Sequence, residues 1–372
     1  MGTNIFSVLM TIWWSSVLIV LFYFLRTRTG LLHVCSISTV ILLYLFCAIR
    51  IVLPIELSWT YVVSGGEVYN VIYSVLAYKI GFARLYELFF VIWMIGTLCI
   101  LSGYLIMYHR VIIYIRSIQK AECKACRQIL DELDKGKRIE VIKTTAVKSP
   151  CCLGVFKKRI LLPDKEYNRD ELRYILLHEY THLCNNDILL MVLIKVLCGI
   201  YWWNPVVYLL RKELNQSMEI RCDLSVAGHL NENERADYLS VMLDTFRESR
   251  KTNKLVGVAG LVESHPESLL ERFQIVADMG VVQKNRANMF AGLMMLLLLT
   301  VSYSFILQSK YETPVSEIET DKDVYEVDEE NSYIIKQGDT YILHTASTEI
   351  IISEETLKML VEEGFTVEGG NR

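Results

Sequence analysis

The sequence predicts a multi-pass α-helical membrane protein with a mainly α-helical (α+β) domain between its last two spans and a small α+β tail. Three observations support this fold class. The 372 residues are 52% hydrophobic and have a mean hydropathy of +0.31, which is too apolar for an ordinary soluble protein. Four apolar runs approach or reach the roughly 20 residues that cross a bilayer as a helix. The stretch between the third and fourth runs instead contains amphipathic helical patterns.

The four apolar runs occupy residues 5–25, 31–53, 87–108 and 289–307. No basic segment precedes the first run and no small-residue cleavage site follows it, so we expect an uncleaved anchor. Arg50, near the far end of the second run, is expected to snorkel to the interface. The loop between the second and third runs, residues 54–86, contains tryptophan and tyrosines, which are typical of a membrane interface.

Basic residues flank the runs on one side and thereby predict the topology. They occur in the short loop 26–30, after the third run from Arg110 onward, and before the fourth run at Lys284. Cytoplasmic segments carry an excess of lysine and arginine. We therefore expect loop 26–30 and residues 110–287 in the cytoplasm, and the N-terminus, loop 54–86 and the tail outside.

A further apolar stretch, residues 188–203, tests this topology. If it crossed the membrane singly, residues 204–287 would lie outside, away from the rest of the domain. Lys195 in its middle and Asn204–Pro205 at its end argue against a crossing. We therefore expect a buried or bilayer-apposed helix that holds the domain near the membrane surface.

The ten cysteines lie between positions 35 and 222, and most fall in the segment assigned to the cytoplasm. Reduced thiols explain this distribution better than a disulfide framework. Cys123 and Cys126 have the C-x-x-C spacing of a redox or metal site, which Cys151 and Cys152 could complete. Two plain thiols are the alternative interpretation.

In the first part of the expected cytoplasmic domain, the sequence predicts a helix, then a small sheet, and then a second helix. Residues 117–135 have an amphipathic helical pattern, and residues 139–142 and 159–162 have the composition of strands. The segment from Asn168 to Glu171 resembles a capping box that opens the next helix. Further helices are predicted at residues 205–250 and 266–279.

The tail begins with an acidic stretch at residues 312–330, which predicts a solvated linker, with calcium or cationic-peptide binding as the alternative. It then predicts a hairpin at 332–346 around Gly338–Asp339, a strand at 348–352 and a helix at 354–363. The predicted domains are therefore residues 1–109, 110–287, 288–308 and 309–372.

The most informative stretch runs from Ile175 to Cys184 and contains His178, Glu179 and His182 in the spacing H-E-x-x-H. Residues four apart lie on one face of a helix, so both imidazoles can bind one ion, and neutral imidazole is a good zinc ligand. Glu179 is placed to accept a proton from a water on that ion, which is the arrangement of a zinc peptidase. Two surface histidines on a helix are the alternative. An apolar stripe supports the helix: Leu172, Ile175, Leu176 and Leu183.

Catalytic zinc takes three protein ligands, so the third must come from elsewhere in the domain. Glu219 and Asp223 lie four apart on one predicted helix, although such a pair alone would suit a solvated helix face. We expect Glu219 to bind Zn²⁺ and Asp223 to accept a hydrogen bond from the outer nitrogen of a histidine ligand. Glu213 competes as a ligand but lacks the paired aspartate. Two histidines and a glutamate would make this a gluzincin-type zinc peptidase domain.

These motifs resemble those of the membrane zinc peptidases of the β-lactam sensor and antirepressor type, the BlaR/MecR family. The matching features are three spans before the zinc domain, H-E-x-x-H at 178–182, E-x-x-C-D at 219–223, and one span before an external part. The segment 149–163 is similar to the family's strand segment, except that Lys158 stands where proline is common. The resemblance covers about residues 1–310 and implies these roles: zinc ligands His178, His182 and Glu219; catalytic Glu179; structural acid Asp187.

The resemblance breaks down in the tail. β-Lactam sensors carry a longer external penicillin-binding domain with S-x-x-K and K-T-G motifs. The S-x-x-K noted here, from Ser117 to Lys120, falls on the cytoplasmic side without those partners. We therefore do not expect β-lactam sensing by this chain alone.

The residues and the resemblance together predict a membrane-embedded zinc endopeptidase in signal transduction. The resemblance implies a cytoplasmic repressor as substrate, with self-cleavage as a first step. An unknown external ligand or partner would act through the tail and the last span. The net charge of −4 gives no indication of direct nucleic-acid binding. The alternatives are quality control of membrane proteins, peptide processing, and a non-catalytic receptor that zinc stabilises.

Overall fold

The computed structural model describes residues 5–29, 36–53, 61–64, 85–117, 123–133, 139–250 apart from 146, and 266–277, with parts of 71–84, 290–308 and 332–369. The chain divides into two compact units, one formed mainly by residues 3–311 and one mainly by residues 312–372. The larger unit is mainly helical and holds every predicted site residue.

Three apolar helices begin the chain: α1 (Ile5–Thr29), α2 (Ile37–Val52) and α3 (Leu85–Ser117). Within the described residues, Val8–Thr27 and α3 are long and apolar enough to cross a membrane, and α2 is a shorter apolar helix. α1 and α2 pack together in a core that includes Ile19 and Tyr44. Three short strands lie between α2 and α3: β1 (Tyr61–Ser64), β2 (Lys79–Ile80) and β3 (Ala83–Arg84).

Two arginines contradict the predictions made for them. α1 continues through the predicted loop 26–30, and Arg26 is buried. Arg50 does not snorkel, because its side chain is also buried and donates hydrogen bonds to Thr11 and Ser302. In both cases acceptors on other helices replace water around the guanidinium, which composition alone does not reveal.

Helix α4 (Lys124–Leu133) follows α3. A disulfide joins Cys123 and Cys126 at its start, where reduced thiols were expected. The Cα atoms of the two cysteines are 5.2 Å apart, within the range that a disulfide bridges, because the first helical turn brings residues three apart together. The remaining cysteines are free wherever the structure describes them.

A three-stranded sheet precedes the central helix: β4 (Glu140–Thr144), β5 (Cys151–Leu153) and β6 (Arg159–Pro163). β6 lies in the middle, parallel to β4 and antiparallel to β5. β4 and β6 confirm the two predicted strands, whereas β5 is too short to show a period-2 pattern. Gly154 has a φ of +90°, and a Cβ there would lie 2.2 Å from the carbonyl oxygen of Lys157, so the turn after β5 requires glycine.

Helix α5 (Arg169–Cys184) carries the H-E-x-x-H motif. Asn168 caps it as predicted, since its side-chain oxygen accepts a hydrogen bond from the Arg169 amide at 2.6 Å. Glu171, expected to complete a capping box, pairs instead with Lys165. The predicted apolar stripe is buried against α4 and the sheet. The motif face is thereby left for the helix at Pro205–Ala227.

Helices α6 (Asp187–Ile200) and α7 (Pro205–Ala227) form an antiparallel hairpin. α5 bends by 61° into α6 at Asn186, whose φ of 55° is left-handed. Cys198 near the end of α6 contacts Val207 near the start of α7. The chain therefore reverses direction after the apolar stretch.

The hairpin packs among the three apolar helices. Leu210 of α7 belongs to the core shared with α1 and α2. At the far end of α6, the indole nitrogen of Trp93 in α3 donates to the carbonyl oxygen of Ile200 at 2.7 Å. Tyr201 donates to the carbonyl oxygen of Ile51 in α2 at 2.9 Å. The tip of the hairpin thus lies beside the end of α2.

Helices α8 (Glu232–Arg250) and α9 (Pro266–Ala277) complete the larger domain. The helical segment predicted at 205–250 is confirmed and contains two helices, since α7 ends at Ala227 and the chain turns before α8. Residues from α5, α7, α8 and α9 share a further apolar core: Tyr174, Val226, Leu230, Tyr238, Met242 and Leu269.

The predicted fourth span, 289–307, lies partly outside the described residues. Its described residues up to Ser302 are helical, and the chain then forms strand β7 (Phe305–Gln308), which pairs in parallel with β1. The predicted span therefore extends too far at its C-terminal end. Apolar composition does not mark the change from helix to strand, because aromatic and β-branched residues also favour strands.

The smaller unit contains a four-stranded sheet in the order β10-β9-β8-β11. Its strands are β8 (Tyr333–Gln337), β9 (Thr340–His344), β10 (Glu349–Ile352) and β11 (Val367–Gly369). The predicted hairpin and the strand after it are confirmed, whereas β11 was not predicted. The described part of the predicted helix 354–363 is helical, and the acidic stretch 312–330 lies outside the described residues.

Candidate metal centre

Three predicted ligands converge where α5 faces α7. The Nε2 atoms of His178 and His182 lie 3.2 Å apart, and each is 3.6 Å from a different carboxylate oxygen of Glu219. Ligands at 2.0–2.2 Å from a tetrahedral ion are about 3.3–3.6 Å apart. The separations and the chemistry of this donor set therefore fit a zinc ion.

Tyr238 and Asp223 contact the outer nitrogen of His178. The Tyr238 hydroxyl lies 2.9 Å from Nδ1 and donates to Asp223 at 2.6 Å. A carboxylate oxygen of Asp223 is itself 3.3 Å from Nδ1. Asp223 is thus beside a histidine nitrogen, as the sequence suggested, but Tyr238 was missed because nothing in its own helix marks it.

Asp187 occupies the matching position at His182. Its Oδ2 lies 2.8 Å from Nδ1 of His182, and its other oxygen pairs with Arg221. The Cys222 thiol lies 3.2 Å from the same Nδ1. The donor atoms of His182, Asp187 and Cys222 also lie close together, but this group uses the outer nitrogen of a histidine whose Nε2 faces the main donor set.

Arg272 of α9 is a site residue that the sequence did not indicate. Its Nη1 lies 3.0 Å from Glu219, and its Nε and Nη2 donate to the two oxygens of Asp223 at 2.6 and 2.9 Å. One guanidinium therefore neutralises two carboxylates. Arg272 is 49 residues from Asp223, so no local spacing could reveal the contact.

Glu179 points away from the apolar stripe of α5 and is buried. The Cys152 sulfur of β5 lies 3.0 Å from both its Oε2 and its carbonyl oxygen. Burial and the Glu179 carboxylate raise the pKa of Cys152 well above its ordinary value, so the thiol keeps its proton and donates it to this contact.

The charges around the donor set keep the acids ionised. Burial alone would raise the pKa of Asp223, but the charge and hydrogen bonds of Arg272 outweigh it and lower the pKa to about 2. The same guanidinium outweighs burial at Glu219 and lowers its pKa. Burial would lower the pKa of His178, whereas Asp223 and Glu219 raise it to about 10. Because a ligating imidazole must be neutral, a bound metal replaces that proton.

Other candidates lie elsewhere. Glu213, the competing ligand, is buried and pairs with Arg26 and Tyr44, one and a half turns of α7 away from Glu219. His229 is exposed, and His265 lies outside the described residues.

Comparisons with known proteins match this region. The family model "BlaR1 peptidase M56" matches residues 77–276. The Regulatory protein BlaR1 of Bacillus licheniformis is 26% identical over 183 residues, which cover 48% of this chain and 30% of that protein. The Methicillin resistance mecR1 protein of Staphylococcus aureus (strain Mu50 / ATCC 700699) is 26% identical over 241 residues, covering 60% of this chain and 40% of that protein.

A second regulatory protein BlaR1, from Staphylococcus aureus, is 29% identical over 112 residues, covering 29% of this chain and 19% of that protein. The chain thus spans less than half the length of each of these relatives. The family model nevertheless covers more than half of the chain and contains the whole candidate centre. The chain therefore belongs to the BlaR1 peptidase M56 family.

Proposed function

We propose that this chain is a membrane-embedded zinc endopeptidase that acts in signal transduction. The observation that carries the proposal is the convergence of His178, His182 and Glu219 within bonding range of one ion, with Glu179 next to the first ligand. Membership of a metallopeptidase family supports it. The coarser conclusion, a membrane-associated peptidase of this family, rests on the apolar helices and the relatives.

A zinc ion held by the two histidines and Glu219 would polarise the scissile carbonyl and make a water more acidic. Glu179 accepts the proton of the attacking water as general base and delivers it to the leaving amine. Cys152 holds one oxygen of Glu179 by its thiol, which leaves the other oxygen for that proton. Asp223 and Asp187 fix the tautomers of the two histidines, so that each presents Nε2 to the ion.

Strand β5 provides a place for an extended substrate. It forms one edge of the sheet, and Cys152 brings that edge beside Glu179. A peptide that adds to a sheet edge gains main-chain hydrogen bonds and is held straight. We propose that the substrate pairs with β5, so that its scissile bond passes the donor set.

The proposed topology keeps residues 110–287 in the cytoplasm, with residues 1–109 and 288–308 supplying the spans and 309–372 an external tail. The basic flanks support this arrangement. In it, helices α6 and α7 form a re-entrant hairpin that enters from the cytoplasmic side and returns, since its tip contacts α2 and α3. The gluzincin-type site would then lie at the membrane surface.

The proposed substrate is a cytoplasmic repressor protein, with self-cleavage as a first step. The printed names of the relatives, a regulatory protein and a resistance protein, support a regulatory role. An external ligand or partner of the tail would supply the signal. Quality control or peptide processing is the alternative, favoured by the contact of the hairpin with apolar helices.

The test compares protein N-termini in cells that carry the wild-type chain, Glu179→Gln, or the control Glu171→Gln. Glu171 lies on the same helix but pairs with Lys165 at the surface, so its variant should match the wild type. New termini inside a small repressor, present with wild type and control only, are expected. New termini in membrane proteins would instead support quality control. Identical profiles for all three chains under inducing stress would contradict a peptidase.

A further inference from the structure

Helix α7 presents a row of polar side chains along one face. Glu213, Gln216, Glu219 and Asp223 are spaced by three, three and four residues, which places them on a single helical stripe. Two consecutive residues of α9 contact this stripe: Glu271 at Gln216, and Arg272 at Glu219 and Asp223. The face therefore joins the metal centre to a second charged cluster.

The end of the stripe at the metal centre depends on Arg272. Its Nη1 binds Oε2 of Glu219 at 3.0 Å, which leaves Oε1, 3.6 Å from Nε2 of His182, for a metal ion. Its Nε binds Asp223 at 2.6 Å, and Asp223 contacts His178. A small shift of α9 would therefore move partners of both a carboxylate ligand and a histidine ligand.

The other end of the stripe is held by Arg26 from α1. Arg26 is only 4% exposed, and its Nη2 donates to both oxygens of Glu271 at 2.9 Å. Its Nη1 pairs with Glu213, and Gln216 also donates to Glu271. A buried guanidinium between two glutamates leaves little freedom, because moving it strands an unpaired charge.

We propose that Arg26 is a positioning residue: its pair with Glu271 seats α9 and thereby holds Arg272 against Glu219. Displacement of α1, the first apolar helix, then changes the metal centre through Glu271 and Arg272. The chain of contacts is continuous, with one side chain per step. The inference rests on the proposed function, and it describes how a movement of α1 in the membrane would regulate the metal centre.

The test measures zinc affinity, by competition with a fluorescent zinc chelator, on the full chain in lipid nanodiscs. Arg272→Lys should weaken zinc binding by about 10–100-fold, as loss of a partner of a metal ligand does. Glu271→Gln, which loses the charge and one of the two acceptor oxygens that Arg26 and Gln216 use, should weaken it by about fivefold. Arg26→Lys, which loses the fork that spans both glutamates, should act like Glu271→Gln.

Glu140→Gln is the matched control. Glu140 is 32% exposed and pairs with one arginine, Arg159, whereas Glu271 is 31% exposed and pairs with Arg26. Its variant should bind zinc like the wild type, because Glu140 lies in strand β4 and its Cα partner in the sheet is Arg159 of β6.

The double variant with Glu271→Gln and Arg272→Lys decides between positioning and general stability. If Glu271 acts through Arg272, the double variant binds zinc no more weakly than Arg272→Lys alone. Two results would overturn the inference but not the proposed function. In the first, the losses of zinc affinity from the two substitutions multiply in the double variant. In the second, Glu271→Gln and Arg26→Lys lower the unfolding temperature but leave the zinc affinity unchanged. A wild-type chain that binds no zinc would overturn the proposed function, and the inference with it.

Discussion

The two histidines of the candidate centre differ in how far along the chain their hydrogen-bond partners lie. His182 receives its carboxylate from Asp187, five residues later at the start of α6. The partner of that acid, Arg221, lies on α7 and is 24% exposed. This support involves two helices that form one hairpin.

His178 is supported by residues from three other helices. Asp223 lies on α7, Tyr238 on α8 and Arg272 on α9, and both Tyr238 and Arg272 donate to Asp223. Asp223 is 1% exposed and Arg272 13%, so neither finds water when its partner is lost. The His178 support is therefore the one that responds to the placement of α8 and α9.

One candidate metal site is therefore supported by neighbouring residues at His182 and by residues distant in sequence at His178. The side of His182 is fixed by the bend between α5 and α6. The side of His178 depends on contacts between residues distant in sequence, which is where the proposed route from Arg26 would act. Substitutions at the partners of each histidine compare the two sides by how much zinc affinity is lost.

Asp223→Asn should have the largest effect. It removes a charge that Arg272 and His178 both use and leaves the guanidinium buried with one carboxylate. We expect zinc affinity to fall by about 100-fold, the upper end for outer partners of metal ligands, and the unfolding temperature to fall. Chelator competition and thermal unfolding measure the two effects.

Asp187→Asn should weaken zinc binding less, by about tenfold. The amide oxygen can still accept from the outer nitrogen of His182, and Arg221 can turn to solvent. The same chelator competition measures this effect. A larger loss than that of Asp223→Asn would reverse the comparison between the two sides.

Tyr238→Phe should cost about 1 kcal/mol, or about fivefold in zinc affinity, because it removes one hydroxyl from a network that keeps its charges. Asp223 retains Arg272 and can approach His178 directly. Titration of the purified variant with zinc measures the change. An unchanged affinity would show that the hydroxyl does not support His178.

Cys222→Ser should have the smallest effect, less than about twofold in zinc affinity, because a neutral thiol is a weak hydrogen-bonding group. Burial and the surrounding carboxylates raise the pKa of Cys222, so it is not a thiolate ligand without a metal. A loss as large as that of Asp187→Asn in the same titration would identify Cys222 as a ligand.

The sequence was sufficient for the elements and residues that depend on local spacing. The apolar helices, the central helix and the tail hairpin follow from periodicity, and the proximity of His178, His182 and Glu219 follows from helical spacing and ligand chemistry. Asp187, implied by family resemblance, contacts His182. Each of these features depends on the spacing of residues that are close in sequence, so a single sequence is enough to predict it.

Contacts between distant segments were not predictable. Tyr238 and Arg272 reach the centre across 60 and 49 residues, and their own helices show only an ordinary mixed pattern. Arg26 was expected in a loop and Arg50 at an interface, because basic residues at the ends of apolar runs usually meet water. Their buried partners come from helices whose packing the sequence does not encode locally.

Zinc X-ray absorption of the purified full chain would identify the metal ligands directly. We expect one zinc per chain with nitrogen and oxygen ligands at about 2.0–2.2 Å and no sulfur ligand. Glu219→Gln should lower the zinc content, whereas Cys222→Ser should leave the spectrum unchanged. A sulfur shell near 2.3 Å, or a chain that retains no zinc, would contradict the assignment of His178, His182 and Glu219 as the metal centre.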